Sequence, residues 1–393
     1  MASTVALAPT TAADVAAALH DAATRGDRLD PVGRGTRTMP GDRREGTTEL
    51  STCGLQVGLT HIAGDLVATV PAGMTLHAVN EALAGADQWL PLDPPSGAHG
   101  TIGGILAAND SGPRRHRFGT PRDLVIGTEI ALVSGEVVQV GGRVVKNVAG
   151  YDLSRLMCGA RGSLGVITQA TFKLMPRTST SRTVIAEFPN VAAAVAGALR
   201  IDASTTTPST IELSWETSPH LLLRFESTEQ SVAAMSSAAA RELAAAGATT
   251  TTVAGAAEAE VWTRHTAAAD DTAGTRLAVS TLPTSSGRLL TELHEWAAPH
   301  GTQLRVVGRA ARGLFHLQVV GPEGAQADVA ARVRATVAAM RGTGRLCHAP
   351  DSVAAHVGVW DTPGPTMAVA RAIKQQFDPT GVLPWPWDGG ARG

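Results

Sequence analysis

Glycine is unevenly distributed along this chain, and its clusters restrict the possible fold more than any other feature. The chain has 42 glycines, which concentrate between Pro31 and Gly165. Within that region they form three clusters: P-V-G-R-G-T-R at 31–37, the segment 97–119, and G-A-R-G-S-L-G at 159–165. Glycine allows positive φ and lets a ligand approach the main chain, because no Cβ intervenes. Apolar residues are interleaved in the second stretch, which favours an ordered loop around a ligand over a flexible linker.

Composition excludes several classes of function. Lys plus Arg number 33 and Asp plus Glu 35, so a net charge of −2 argues against nucleic acid or an anionic membrane surface as the main partner. Aromatic residues make up only 4%, too few for a base-stacking platform. Cys53, Cys158 and Cys347 have no disulfide-framework or zinc-finger spacing, so we expect a reduced, cytoplasmic protein. The N-terminus lacks a basic region typical of a signal peptide, and no apolar run is long enough to span a membrane.

A change in composition divides the chain in two. The Pro-, Ser- and Thr-rich segment 174–183 reads as a linker, so we expect a first domain over 1–178 and a second from 179. In the first, Thr11 and Thr75 are candidate N-caps, Gly26 a helix stop, and Ser134-Gly135 a hairpin turn. Strands and helices mix there without a regular repeat, which predicts an α+β class.

The second domain has a more regular pattern. The predicted elements follow the order βαββαβ. They are a strand at R-T-V-I-A-E-F, a helix from Asn190, strands at T-I-E-L-S-W-E and H-L-L-L-R-F-E, a helix from Glu229, and a strand at A-T-T-T-T-V. This order is typical of a ferredoxin-like unit. A strand at R-L-A-V-S-T-L, a helix from about Ser286 and two further strands begin a similar unit, so a doubled sheet is expected. A last helix should end before Pro379.

The first glycine loop has two possible meanings. Two glycines two apart, Gly33 and Gly35, let successive N–H groups converge on an anion such as a pyrophosphate. The loop is not a Walker A motif, since no Gly-Lys-Ser/Thr follows, and Thr38 stands where a G-x-G-x-x-G motif needs its third glycine. An ordinary tight turn remains the alternative.

The order of the motifs resembles a known family. P-x-G-x-G-T at 31–36, T-I-G-G…N-x-S-G-P…F-G…R-D-L-V-x-G at 101–127, and K-N-V-A-G-Y-D-L-S-R-L-M at 146–157 follow one another. Together with I-K-Q-Q-F-D-P-T-G-V-L-P at 373–384 they resemble the vanillyl-alcohol-oxidase (PCMH) type of FAD-binding fold, and within it the FAD-binding subunits of glycolate oxidase. The resemblance implies a two-subdomain FAD-binding domain over 1–178, a ferredoxin-like α/β cap domain over 179–365, and a segment 366–393 that returns to the first domain.

The resemblance also implies which residues hold FAD. The pyrophosphate would lie on the first loop, the ribityl chain and flavin along the second, the flavin pocket would be shaped by residues near its end, and the adenosine edge by the third loop. For the pyrophosphate the implied residues are Gly33, Arg34, Gly35, Thr36 and Arg37. Along the second loop they are Thr101, Gly103, Gly104, Asn109, Ser111 and Gly112, and for the flavin pocket Arg117, Gly119 and Asp123. For the adenosine edge they are Gly162, Gly165 and Ile167.

Three departures from the family pattern shape the functional hypothesis. Thr36 stands where relatives with covalent flavin often have His, which implies non-covalent FAD, and Arg161 replaces a usual acid. The His-x-Gly-Asp-Gly-Asn motif of catalytic relatives is absent from the sequence. The resemblance therefore implies an FAD-dependent oxidoreductase subunit of a glycolate-oxidase-like complex, with a second flavin subunit and an iron–sulphur subunit as partners. A stand-alone FAD-dependent 2-hydroxy-acid dehydrogenase and a non-catalytic scaffold are the alternatives.

Several other residues have a chemical and a structural reading. His316, on one face of a strand with Gln318, is either a base for a substrate hydroxyl or a polar sheet residue. Arg264, His265 and Arg276 are either carboxylate ligands or, more simply, solvated charges. Cys347-His348 reads as structural, and the other histidines lack helical ligand pairing, so no metal site is predicted. Trp385 and Trp387, between prolines, are either an exposed docking segment or packed against the first domain.

Overall fold

The protein divides into two compact units in its computed structural model. The model describes residues 6–36, 46–95, 97–142, 152–360, 364 and 366–385. The first unit comprises residues within 1–112, 118–177 and 363–393, and the second comprises 113–117 and 178–362.

The first unit is built on a five-stranded antiparallel sheet in the order β3-β4-β8-β6-β7, with the small pairs β1-β2 and β5-β9 beside it. The elements before residue 178 are α1 (Ala12–Arg25), β1 (Arg28–Val32), β2 (Thr47–Ser51), β3 (Thr60–Ile62), β4 (Val67–Pro71), α2 (Leu76–Ala84), β5 (Gln88–Trp89), α3 (Ile102–Ala108), α4 (Arg115–Phe118), α5 (Pro121–Leu124), β6 (Val125–Ala131), β7 (Val137–Gly141), α6 (Leu153–Met157), β8 (Val166–Lys173) and β9 (Met175–Pro176). Most of the short helix α4 lies in the segment 113–117, which belongs to the second unit.

Local signals in the first unit act as predicted. The Thr11 hydroxyl accepts a hydrogen bond from the main-chain N–H of Asp14, and Gly26 ends α1 with a φ of +72°. Thr75 caps α2 in the same way. Gly135 adopts a φ of +89° in the turn between β6 and β7. The far end of the predicted second hairpin strand, 143–145, lies outside the described residues.

The second unit is one eight-stranded antiparallel sheet made of two βαββαβ repeats. The sheet order is β13-β10-β12-β11-β15-β16-β14-β17, so the two repeats meet edge to edge at β11 and β15. The elements are β10 (Thr180–Glu187), α7 (Val191–Asp202), β11 (Thr210–Trp215), β12 (Pro219–Ser227), α8 (Glu229–Ala245), β13 (Thr249–Val253), α9 (Gly255–Asp270), β14 (Thr275–Ser280), α10 (Ser286–Ala297), β15 (Gln303–Arg309), β16 (Leu314–Val320), α11 (Glu323–Ala339), β17 (Thr343–His348) and α12 (Asp351–Val357).

This topology confirms the ferredoxin-like prediction and completes the second repeat, for which the sequence patterns gave only the first four elements. The helix α9, which joins the repeats, was not predicted. Its apolar positions are few, because Ala, Glu and Thr dominate its sequence, so the 3.6-residue period is weak.

The two faces of this sheet differ sharply in chemistry. Ile211, Leu213, Leu221 and Leu223 point to one face and pack into the apolar core. The alternate positions place charged residues, Glu212 among them, on the other face, as the two-residue period of a strand requires. The second face is therefore polar although much of it is buried.

The predicted linker at 174–183 is largely strand. Met175 and Pro176 form β9, and β10 begins at Thr180, while the two units separate between 177 and 178. Threonine is β-branched and suits a paired strand, so its abundance here indicated a strand and not a loop.

The last described segment belongs to the first unit. Helix α13 (Met367–Phe377) is followed by a turn, and the main-chain N–H of Leu29 donates to the Val382 carbonyl at 2.9 Å. Val382 and Leu383 join the apolar core of this unit. Trp385 is 9% exposed, so the docking interpretation is wrong for this residue, and Trp387 lies outside the described residues.

Candidate functional site

The first glycine loop lies against the start of the second. A Cβ placed on Gly33 would lie 2.3 Å from the Thr101 Oγ1, so only glycine fits there without displacing the threonine. Gly35 has a φ of +67°, the left-handed conformation that suits glycine. Within the described chain no acceptor engages the main-chain N–H of Gly33 or Arg34. The loop therefore presents main-chain donors beside Thr101; Arg37, its last implied residue, lies outside the described residues.

The second loop begins with a cap that is already satisfied. The Thr101 hydroxyl accepts a hydrogen bond from the Gly104 N–H at 3.3 Å, and the Gly103 N–H donates to the Ala72 carbonyl at 2.8 Å. A Cβ on Gly103 would come within 3.0 Å of the Ala72 Cβ. Gly103 and Gly104 thus allow α3 to pack closely on the end of β4, and their amides are engaged within the protein.

Close main-chain packing also explains the glycine at 112. A Cβ there would lie 1.6 Å from the Asp93 carbonyl oxygen, so no other residue can occupy this position. Asn109 ends α3 with a φ of +47°, and its Oδ1 accepts a hydrogen bond from the Arg122 N–H at 3.2 Å. Ser111, between them, is buried. The segment from 109 to 112 is therefore a fixed turn.

The implied flavin-pocket residues fall into two separate groups. The Asp123 carboxylate accepts hydrogen bonds from the N–H and hydroxyl of Thr120, each at 2.8 Å, which caps α5. Gly119 has a φ of +82° and its Cβ would lie 2.8 Å from the Asp123 Cβ. Arg117 instead belongs to the second unit, where its Nη1 donates to the Glu226 carbonyl at 3.3 Å. The first unit alone therefore brings Gly119 and Asp123 together without Arg117.

The third loop lies beside the first two. A Cβ on Gly162 would lie 3.6 Å from the Pro31 Cγ, and the Arg161 N–H donates to the Ala107 carbonyl at 2.8 Å. Gly165 packs against Ile130, where a Cβ would come within 2.9 Å of the methyl Cγ2. Ile167 is buried in the core, so its side chain is structural in this chain. Of the most specific motif, 146–151 lies outside the described residues and 152–157 forms the N-cap and body of α6.

Together the three loops form a cradle that suits an extended dinucleotide. Gly33 contacts Thr101, Pro31 contacts Gly162, and Ala107 contacts Arg161, so the segments 31–36, 101–108 and 159–165 are neighbours. The amides of Gly33 and Arg34, which have no acceptor in the described part of the chain, and the exposed Arg34 side chain could neutralise a diphosphate. The residues present therefore fit FAD, with donors concentrated on the first loop.

The second unit holds buried charges that sequence reasoning missed. His265 is 4% exposed, and its Nε2 lies 3.0 Å from the Glu212 Oε2, while the Arg309 Nε lies 3.5 Å from the other oxygen. The simpler interpretation of His265 as a solvated charge is therefore wrong. Arg264 is exposed and pairs with Glu260 one helical turn away, as a surface residue does. A charged residue that alternates with apolar residues along a strand, as Glu212 does in T-I-E-L-S-W, was the sequence pattern that could have indicated these buried charges.

A second buried network centres on Glu226. Its side chain is 4% exposed, and Arg114 donates to both of its oxygens, with the shortest contact 2.8 Å from Nη2 to Oε1. Burial alone would raise the pKa of Glu226, but the hydrogen bond and charge of Arg114, with the charge of Arg224, outweigh it and lower that pKa. Arg224 also lies 3.0 Å from Glu258, so the network is anchored at several points.

Three of the remaining candidates are cross-strand neighbours, because Arg276 on β14 lies opposite Gln318 on β16 and opposite His348 on β17. Gln318 donates to the Ala273 carbonyl at 2.8 Å, and His316 lies half-buried on the same face of β16. The Arg276 Nη1 donates to the Ala269 carbonyl at 3.0 Å. Cys347 and His348 end β17, both half-buried. Among the described residues no group of three or more His, Cys, Asp or Glu side chains could hold a metal ion.

Comparison with known proteins finds sequence similarity within the first unit. A family model described as "FAD binding domain" matches residues 3–141. The chain is 38% identical over 148 residues to "Glycolate oxidase subunit GlcD" of Bacillus subtilis and 47% identical over 114 residues to "Glycolate oxidase subunit GlcE" of Escherichia coli. These matches cover 38% and 29% of this chain and 32% and 33% of the relatives. "D-lactate dehydrogenase [cytochrome], mitochondrial" of Arabidopsis thaliana is 40% identical over 127 residues, 32% of this chain and 22% of that protein.

The fold as a whole also has a solved counterpart. A structure of alkyldihydroxyacetonephosphate synthase superposes on 95% of this chain and 74% of its own, with a TM-score of 0.71 at 16% identity. In the part of the chain that the structure describes, no helix is both long and apolar enough to cross a membrane. The predicted class, an α+β PCMH-type FAD-binding domain followed by a ferredoxin-like cap, is confirmed. The matched segments span about a third or less of the curated relatives, and the match to the FAD-binding domain model is confined to residues 3–141 of this chain.

Proposed function

We propose that this protein is the FAD-binding subunit of a glycolate-oxidase-like complex that oxidises 2-hydroxy acids. The observation that carries the proposal is the convergence of the three glycine loops, in which Gly33 meets Thr101 and Pro31 meets Gly162. The 47% identity to a glycolate oxidase subunit over 114 residues supports it. Purified protein should show a visible flavin absorption band, and a colourless protein that takes up no added FAD would refute the proposal.

The first loop would hold the FAD diphosphate. The groups proposed to do so are the N–H groups of Gly33 and Arg34, the Arg34 guanidinium and the Thr36 hydroxyl, with Arg37 as a further implied ligand. Thr101 shapes the wall of the cradle through its contact with Gly33. Bound FAD supplies hydride acceptance, and the chain contributes binding, orientation and charge neutralisation.

The flavin is proposed to be non-covalent. Thr36 follows the last glycine of the first loop, where relatives that tether flavin often have His, and a threonine hydroxyl forms no comparable flavin linkage. Acid precipitation of the holoprotein should leave the yellow colour in the supernatant. Colour that stays with the pellet would contradict this part of the proposal.

The partners are proposed from the same resemblance: a second flavin subunit that carries the catalytic site and an iron–sulphur subunit that accepts electrons. The missing His-x-Gly-Asp-Gly-Asn motif favours a chain that needs another subunit for substrate oxidation. Co-purification from the native source, followed by flavin and iron assays, tests the assembly. Dye reduction by glycolate or D-lactate should require the added partner.

A stand-alone 2-hydroxy-acid dehydrogenase is the second candidate. The 40% identity to a D-lactate dehydrogenase over 127 residues favours it, and so does the buried pair of His265 and Glu212, because a carboxylate can orient a histidine that accepts a proton. Dye reduction by the purified chain alone would establish this candidate over the subunit. A scaffold without flavin, the third alternative, predicts neither colour nor FAD uptake.

A further inference from the structure

Lys374, on helix α13, is bound on all sides within the first unit. Its Nζ donates to the Ser163 carbonyl at 2.9 Å, to the Leu383 carbonyl at 3.0 Å and to the Asp378 carboxylate. The lysine side chain is 12% exposed and that of Asp378 is fully buried. Among the described residues these three acceptors face the ammonium group, which carries three donors, so this lysine acts as a fixed junction.

Asp378 holds the chain on the other side of that junction. Its Oδ1 accepts from the Val382 N–H at 3.0 Å, and its Oδ2 accepts from the Leu383 N–H at 2.8 Å. The turn after α13 is therefore closed by the same carboxylate that neutralises Lys374. A charge buried in this way is costly to leave unpaired, so the pair fixes the turn firmly.

The junction contacts one cradle loop, 159–165, and the strand β1 that leads into another. Val382 accepts a hydrogen bond from Leu29, four residues before Gly33 on the strand that leads into the first loop. Ser163, whose carbonyl accepts from Lys374, directly follows Gly162. A Cβ placed on Gly162 would lie 3.6 Å from the Pro31 Cγ, so this loop borders the first one. The junction thus ties loop 159–165 to β1 and so to the loop that presents the diphosphate donors.

We propose that Lys374 is a positioning residue for the diphosphate of bound FAD, acting through loop 159–165 and β1. The inference rests on the proposed function, in that these loops must bind FAD. Lys374 does not touch the cofactor; it sets the spacing of the loops that do. Losing the ammonium removes the donor to the Ser163 carbonyl and leaves the buried Asp378 carboxylate without its cation, with only the main-chain donors of Val382 and Leu383, so the loops shift while the sheet remains.

The test compares Lys374→Met with Lys173→Met, a half-buried lysine at the end of β8 in the same unit. FAD, ADP and FMN are titrated against each apoprotein, and unfolding midpoints are measured with and without FAD. Lys374→Met should weaken FAD and ADP binding by about tenfold or more, which is a loss of about 1.4 kcal/mol or more. FMN, which lacks the second phosphate, should bind both variants alike, and Lys173→Met should match the wild type.

The outcomes separate a positioning role from a merely structural one. A structural role lowers the midpoints of apoprotein and holoprotein equally and leaves the FAD-induced rise unchanged, which would overturn the inference. If Lys374→Met does not fold, Lys374→Arg decides, because it keeps the charge but replaces the compact ammonium by a planar fork. That variant should bind FAD and ADP several-fold more weakly, and equal affinity would overturn the inference. Wild-type protein that binds no FAD refutes the proposed function instead.

Discussion

The two units solve the problem of close packing in opposite ways. In the first unit the critical contacts are made where side chains are missing: Gly33 leaves room for Thr101, and Gly112 for the Asp93 carbonyl. In the second unit regular strands alternate apolar and charged residues, and the charges are buried in pairs. The comparison teaches that one unit depends on the shape of its loops and the other on its electrostatic complementarity. Substitutions should therefore destabilise the first unit mainly through steric overlap and the second mainly through unpaired buried charge.

The largest expected effect is a loss of stability in the second unit. Glu226→Ala leaves Arg114 largely buried without its carboxylate, which costs about 3–5 kcal/mol. Chemical denaturation followed by tryptophan fluorescence measures it, since Trp215, Trp262, Trp296 and Trp360 lie in this unit. The control Glu229→Ala breaks an exposed pair with Arg182 and should cost about 0–1 kcal/mol. Equal costs for the two variants would contradict the claim that the second unit depends on its buried charge pairs.

The same pair makes a prediction about acid. Because the pKa of Glu226 is lowered in the folded protein, its carboxylate stabilises the fold above the ordinary glutamate value of 4.5. That stability is lost as the pH falls below 4.5 and through the lower folded pKa. Glu226→Gln should therefore flatten the dependence of unfolding free energy on pH in this acidic range.

The next effect concerns the shape of the first unit. Gly33→Ala places a methyl group 2.3 Å from the Thr101 Oγ1, and such overpacking costs about 1–3 kcal/mol. Since the displaced groups line the cradle, FAD affinity should fall by about tenfold to a hundredfold. Gly64→Ala is the matched control, because nothing lies within 4 Å of its added methyl group. Fluorescence titration with FAD measures both, and unchanged affinity in Gly33→Ala would mean that this contact does not shape the site.

The sequence carried different amounts of information about the two units. Alternation and caps predicted the second unit well, from Asn190, which caps α7, to Glu229, which begins α8. Its buried pairs were missed, since His265 and Glu212 lie 53 residues apart and their meeting depends on where the unpredicted helix α9 packs. Such a contact has no local signal.

In the first unit the glycines marked the cradle, but their individual roles were not evident from the sequence. Gly103, Gly104 and Gly33 are the same residue type in similar loops, yet the amides of Gly103 and Gly104 are engaged, while that of Gly33 has no acceptor among the described residues. The difference arises from the Thr101 cap and from the approach of Ala72, which are tertiary contacts. Composition therefore locates a ligand-binding region, and only the packing shows which amides remain for a ligand.

A smaller effect tests the electrostatics of the second unit at milder pH. Burial lowers the pKa of His116, and the charge of Arg312 lowers it further, against the opposing pull of Asp202 and Glu212. Because the folded pKa lies below the ordinary value of 6.5, His116 does not reduce the free energy of unfolding above pH 6.5. That free energy declines as the pH falls below 6.5 and through the folded pKa. His116→Gln should remove this decline and leave stability at pH 8 little changed. An identical pH dependence in the variant would refute the assignment to His116.

The smallest effect returns to the first unit and its close packing. Burial raises the pKa of the Cys158 thiol to about 12, despite the nearby charge of Arg122, so the group stays protonated at neutral pH. Thiolates are the reactive form, and we expect Cys158 to be alkylated by iodoacetamide far more slowly than a free cysteine in solution. Peptide mass spectrometry after timed labelling measures the rate, and denatured protein, in which the thiol is solvated, provides the control. Rapid labelling of the folded protein would mean that the segment after α6 opens readily. The loops of the first unit would then be more mobile than their close packing implies.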